Sequence, residues 1–134
     1  MPEIAASLRA EVRSRAKGRC EYCLVPEALT LVAHEIDHII AAKHGGVSVA
    51  GNLALCCALC NKHKGTDVAS MDPESGDLTR LFHPRIDRWS DHFQLGGGLI
   101  APVTAVGRAT ARLLQFNRSE RIKERELMVS AGLL

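Results

Sequence analysis

With 134 residues, 46% of them apolar and 24% charged, the chain has the make-up of a soluble globular protein with room for one modest core. No apolar run approaches the roughly 18 residues of a membrane span, and the N-terminal charges have no continuous apolar stretch behind them, which argues against a membrane or secreted protein and makes the cytoplasm the expected location. A formal net charge of +2 is too small to draw in a polyanion through the field of the whole molecule, so any affinity for nucleic acid has to come from local patches.

In chain order, the first predicted element is a helix over residues 3 to about 17, where Ile4, Leu8 and Val12 recur at helical spacing. Arg9, Arg13, Arg15, Lys17 and Arg19 surround that stripe against a single acid, Glu11, and Gly18 supplies the stop. Cys20-Glu-Tyr-Cys23 and the turn-former Pro26 follow. Residues 30–40, TLVAHEIDHII, are rich in β-branched and apolar side chains and read as a strand, which Gly45-Gly46 then interrupts. Residues 52–55 make a second strand or a tight loop, and a short helix is predicted from Cys57 to about Thr66. MDPESGD at 71–77 is a turn-rich loop. Gly96-Gly97-Gly98 separates the apolar pieces FQL and LIAPV as a hairpin turn would. Thr104 is placed to cap a helix reaching about Phe116, and Asn117 with Glu120 forms a capping-box-like pair for a last helix to about Ser130.

Aromatic residues make up only 4% of the chain, so its core leans on Leu, Ile, Val and Ala and gains from a metal staple. Five cysteines in a reducing compartment point to metal rather than disulfides. Cys20-x-x-Cys23 and Cys57-x-x-Cys60 each place two sulfurs on a tight turn, and together they complete a tetrahedral four-thiolate site for structural zinc with no open position. Cys56 is surplus, and Cys56-x-x-x-Cys60 is an alternative register to the symmetric spacing.

Between the pairs lies His34-Glu-Ile-Asp-His38-Ile-Ile. Strand alternation sends His34, Ile36 and His38 one way and Glu35 and Asp37 the other. Gly45-Gly46, Asn52-Leu and Cys60-Asn61-Lys62-His63-Lys64-Gly65 follow in order. A carboxylate and an amide or imidazole brought together by two strands and a helix can hold a hard metal ion with open positions. A neutral histidine beside such a site is suited to take a proton from water near neutral pH.

The run from Cys20 to Gly65 resembles the HNH endonuclease family: C-x-x-C, an acid followed by His, Gly-Gly, Asn-Leu, then C-x-x-C followed by Asn. The downstream LFHPRIDRWSDHFQL and the helical tail are similar to a subgroup of bacterial HNH proteins, which extends the resemblance over about the whole chain. The resemblance implies an α+β fold, with a ββα-metal (HNH) core stapled by a four-cysteine zinc site, an N-terminal helix, and a C-terminal hairpin plus helices. It implies one domain over 1–134, with its core at about 18–66 and an extension at about 67–134. It makes His38 the general base, Asp37 a ligand of a catalytic cation such as magnesium, and Asn52 the residue that steadies the loop and orients the histidine. Asn61 stands where many members have histidine, giving an H-N-N variant, and His63 is the substitute ligand two residues on. Lys62, Lys64 and His44 are candidate nucleic-acid contacts.

The expected activity is metal-dependent hydrolysis of DNA, leaving 5′-phosphate and 3′-hydroxyl ends, and a homodimer would be a natural way to cut both strands. Its rivals are a non-catalytic zinc-bearing DNA-binding module of the same fold and a ring-type interaction domain. The combination of Asp37, His38 and Asn52 argues against the first, and the shortage of ligands for a second zinc argues against the other.

Overall fold

Six short strands and five α-helices follow one another along residues 4–134, the part of the chain that the computed structural model describes. Their order is α1 (Ala6–Arg15), β1 (Glu35–His38), β2 (Leu53–Cys56), α2 (Ala58–Lys64), β3 (Ala69–Met71), β4 (Leu78–Arg80), α3 (Trp89–His92), β5 (Phe93–Gly96), β6 (Leu99–Pro102), α4 (Ala105–Leu113) and α5 (Ser119–Ser130). Residue 3, where the first predicted helix begins, lies outside the described residues. The mixed α+β architecture is the expected one. Its strands pair only as three separate antiparallel hairpins, β1–β2, β3–β4 and β5–β6. A two-stranded ribbon is marginal alone in water, so each hairpin depends on what packs against it.

β2 shows how the sequence meets that need. All four of its residues are buried. Leu53 and Leu55 face α1, where Val12 is fully buried and Ile4, Leu8 and Ala16 complete a small apolar cluster with Ile36. Ala54 and Cys56, on the opposite face by alternation, join the main core with Tyr22, Ile39, Phe82, Phe93, Ile100, Leu114 and Phe116. The few aromatic residues are concentrated there. Phe93 packs edge-on against Phe82 and Phe116 with ring centroids 5.5 and 5.6 Å away, and Trp89 lies 5.1 Å from it. The Trp89 indole donates to the Tyr22 carbonyl at 2.8 Å, tying the first cysteine turn to the second half of the chain.

Several boundaries differ from the sequence reading. The first strand is Glu35–His38 rather than 30–40, because β2 offers only four partners, from Cys56 opposite Glu35 to Leu53 opposite His38. Ahead of it, the Glu27 carboxylate takes the His34 N–H at 2.8 Å and Arg13 takes the His34 carbonyl at 3.1 Å, so that backbone is satisfied outside any sheet. Thr104 does cap α4, its hydroxyl accepting from the Gly107 N–H at 3.0 Å. α4 stops at Leu113 because Gln115 adopts a left-handed φ of 54°. Asn117 is not a cap of α5: its amide bonds both the N–H and the carbonyl of Ile100 on β6, at 3.0 and 2.8 Å.

Candidate active site

Two tight turns bring four sulfurs together. The Sγ atoms of Cys20, Cys23, Cys57 and Cys60 all lie within 4.8 Å of one another, and all four residues are buried. In each turn a backbone N–H points at the earlier sulfur, Cys23 to Cys20 and Cys60 to Cys57, both at 3.4 Å. Cys57 thereby doubles as the N-cap of α2. This soft, closed donor set fits tetrahedral zinc and leaves no coordination position for substrate. The structure takes the symmetric register, and Cys56 ends β2 outside the cluster.

Arg121 of α5 reaches the same sulfurs, at 3.2 Å from Cys60 and 3.8 Å from Cys57. Its other arm binds the Leu114 and Gln115 carbonyls at 2.7 and 3.1 Å. Burial works against the charge of Arg121, but the sulfurs of Cys60 and Cys23 outweigh it and raise the pKa further. Burial also pushes the Cys20 and Cys60 thiols up, whereas hydrogen bonds with its neighbouring cysteines hold Cys23 down.

β1 ends at His38, whose Nε2 lies 2.8 Å from the Ser48 hydroxyl. The connection to β2 folds back tightly around Asn52. The Asn52 side chain accepts from Ile40 N–H and donates to the Ile40 and Val47 carbonyls, each at 2.9 Å, while its backbone carbonyl takes the Ile39 N–H. Asn52 therefore acts on the loop backbone that follows the histidine rather than on the imidazole itself. Gly46 is what lets the loop close: a Cβ there would stand 1.6 Å from the Ile40 carbonyl oxygen and 2.9 Å from the Asn52 amide. Gly46→Ala is accordingly expected to push the loop off Asn52, lowering the melting temperature by several degrees for a loss of about 1–3 kcal/mol and cutting activity with it. An unchanged melting curve would refute that tight closure.

α2 packs along the other side of β1. Strand alternation puts Glu35 and Asp37 on one face, and Asn61 and Lys64, three residues apart on α2, meet them. Asn61 donates its amide N–H to Glu35. Lys64 is 2% exposed and places Nζ 3.2 Å from Asp37 and 3.1 Å from the Ile39 carbonyl. The Tyr22 hydroxyl donates to Asp37 at 3.0 Å. Burial pushes the Asp37 carboxyl up in pKa, against the pull of Lys64 and Tyr22, while burial and then the Asp37 charge push the Tyr22 phenol up.

A sequence model of the HNH endonuclease family matches residues 20–67, from Cys20 through β1, β2 and α2. Over these residues the chain is similar to the HNH endonuclease family. HNH endonucleases are phosphodiester hydrolases. No curated protein and no solved structure gives a match.

Within this HNH region the proposed site residues separate into two groups. His38, the last residue of β1, and Asn52 go with the loop that follows the strand, His38 beside Ser48 and Asn52 on the loop backbone, whereas Asp37 and Asn61 lie on the seam of β1 with α2, Asp37 meeting Lys64 and Asn61 meeting Glu35. His63 does not join them. Two residues past Asn61, it turns to the opposite side of α2, where Nδ1 lies 3.3 Å from Gln115 Nε2. Burial, with the charges of Arg121 and Lys62, lowers its pKa. Lys64, read from the sequence as a phosphate contact, faces β1 instead of solvent. Lys62 and His44 are exposed and free to meet a ligand. Ser48, Glu35, Tyr22 and Arg121 all touch site groups without having been singled out. Only Glu35 carried a signal, its shared strand face with Asp37. No helix among the described residues is long and apolar enough to cross a membrane.

Proposed function

We propose that this HNH protein hydrolyses DNA phosphodiester bonds in a metal-dependent reaction, with His38 as general base and Asp37 and Asn61 as ligands of a divalent cation such as magnesium. What supports this reading is an imidazole at the C-terminal end of β1, next in sequence to the Asp37 carboxylate, with the Asn61 amide on the adjoining seam between β1 and α2. Asn61 gives its N–H to Glu35 and keeps its carbonyl oxygen without a protein partner among the described residues. Asp37 supplies a carboxylate from the same face, so the donors are hard oxygens suited to magnesium or manganese. Zinc belongs to the four thiols, a different chemistry.

When bound, the cation would stabilise the charge that builds on the phosphorus and the departing 3′ oxygen. His38 takes the proton of the attacking water, giving 5′-phosphate and 3′-hydroxyl ends. Asn52 keeps the loop closed behind the ring. Lys62 and His44, both exposed, are offered as contacts to the DNA backbone. The whole chain acts as one cytoplasmic unit in this reading, with residues 67–134 holding the zinc half in shape through Arg121. Two copies could address opposite strands.

The test is supercoiled plasmid incubated with the protein and magnesium, manganese or a short exposure to chelator, with zinc content measured in parallel. Nicking that needs the added divalent ion while zinc stays bound is the expected result. Salt-sensitive DNA binding without nicking would instead identify a non-catalytic DNA-binding module.

A further inference from the structure

Ser48 is the feature of the site that neither the family pattern nor the ligand chemistry calls for. Its Oγ lies 2.8 Å from His38 Nε2, and it has no other hydrogen bond among the described residues. His38 is 8% exposed; its Nδ1 has no hydrogen bond among the described residues and is not among the buried atoms left without a partner, so that nitrogen is the one open to solvent. The serine is also held in place from both flanks. The Val47 carbonyl accepts from the Asn52 side chain at 2.9 Å, and the Val49 carbonyl accepts from the Asn52 backbone N–H at 2.9 Å. Behind them, Gly46 N–H donates to the Ala41 carbonyl at 3.0 Å. Asn52 therefore clamps the residue on each side of Ser48 and presents its hydroxyl to the ring.

A neutral imidazole carries its proton on one nitrogen and a lone pair on the other. If Ser48 donated its O–H to Nε2, the proton would sit on Nδ1 and the solvent-facing side would have no lone pair to accept one. If Nε2–H donates to the serine oxygen, Nδ1 is left as the acceptor. We propose that Ser48 is a positioning residue that holds His38 in the second tautomer, with Nδ1 as the atom that takes the proton. In the step itself water loses one proton to Nδ1 and its oxygen forms the new bond to phosphorus, while the bond to the 3′ oxygen breaks and that oxygen leaves with the bonding pair and takes a proton from solvent water. Nε2–H keeps donating to Ser48 throughout, so the imidazolium that forms stays hydrogen-bonded on its buried side. This inference rests on the reading of His38 as the base.

The experiment uses the full chain with zinc bound. Ser48→Ala and Ser48→Thr are compared with wild type and His38→Ala in single-turnover cleavage of a DNA duplex with magnesium. The His38 tautomer is read separately from imidazole nitrogen shifts in histidine-labelled protein. Ser48→Ala is expected to lower the cleavage rate by about ten- to a hundredfold with little change in KM. It should also turn a single Nε2–H tautomer into a mixture, and Ser48→Thr should restore most of both. Cleavage by Ser48→Ala within twofold of wild type, or a wild-type His38 protonated on Nδ1, would overturn the inference. If those results came with an inactive His38→Ala, the base assignment would survive alone. A fully active His38→Ala would sink both, and the nitrogen shifts would still report the tautomer directly.

Discussion

His38→Ala is expected to lower metal-dependent cleavage by about a hundred- to ten-thousandfold, the usual share of a general base, while zinc content and melting temperature stay close to wild type. The structural cost should be small because the imidazole makes a single side-chain hydrogen bond, to a half-buried serine, and is not part of either apolar cluster. The strand around it is held by other means: the register with β2, the Asn52 bonds to Ile39 and Ile40, and the Lys64 contact to the His38 carbonyl. Loss of activity with loss of zinc would mean the variant had misfolded, and circular dichroism with metal analysis separates the cases. A variant that cuts at nearly the wild-type rate would move the base elsewhere.

Removing the zinc should have the largest effect on the fold. The four cysteines are between 0% and 6% exposed, and they join the turn before Pro26 to the start of α2 across a long stretch of chain. Structural zinc contributes about 10–16 kcal/mol of binding free energy at neutral pH, against a total stability of about 5–15 kcal/mol for a typical domain. Stripping the ion or substituting Cys60→Ser is therefore expected to abolish cooperative melting. The near-ultraviolet signal of Trp89 should collapse with it, because that indole is anchored on Tyr22 inside the first cysteine turn. One zinc per chain by metal analysis, and recovery of the Trp89 signal on adding zinc back, complete the check. A zinc-free protein with the same melting curve would show the cluster to be dispensable.

What the sequence disclosed was whatever depends on local spacing. Two C-x-x-C turns, an acid followed by histidine, and a triple glycine between apolar runs each carry their geometry within a few residues. The four-cysteine cluster and the β5–β6 hairpin could therefore be read directly, while the β1–β2–α2 order came from the family resemblance, residues 52–55 alone reading as a strand or a tight loop. Features decided by a distant partner could not. The length of β1 is set by β2, and Asn117 looked like a helix cap because nothing local reveals that Ile100 stands beside it. Lys64 looked like a phosphate contact in a run of basic residues, but its place one turn after Asn61 points it at Asp37. Ser48 carries no pattern at all; only the closure of the loop on Asn52 brings it to the ring.

The way the strands are wired also bears on how the protein reaches its active form. Each hairpin joins strands that are neighbours in sequence, so pairing closes short or modest loops and should be fast. The distant segments are joined instead by the sulfur cluster and by arginines that cross the chain, Arg85 to Glu21 and Arg121 to Cys60. If the four thiols take up zinc, as their geometry suits them to do, folding speed should be governed less by β-sheet topology than by encounter with the metal, a bimolecular event. The rate at which newly made or refolding chains become competent should follow the free zinc concentration around them, so that metal supply acts on the timing of activity as well as on its amount.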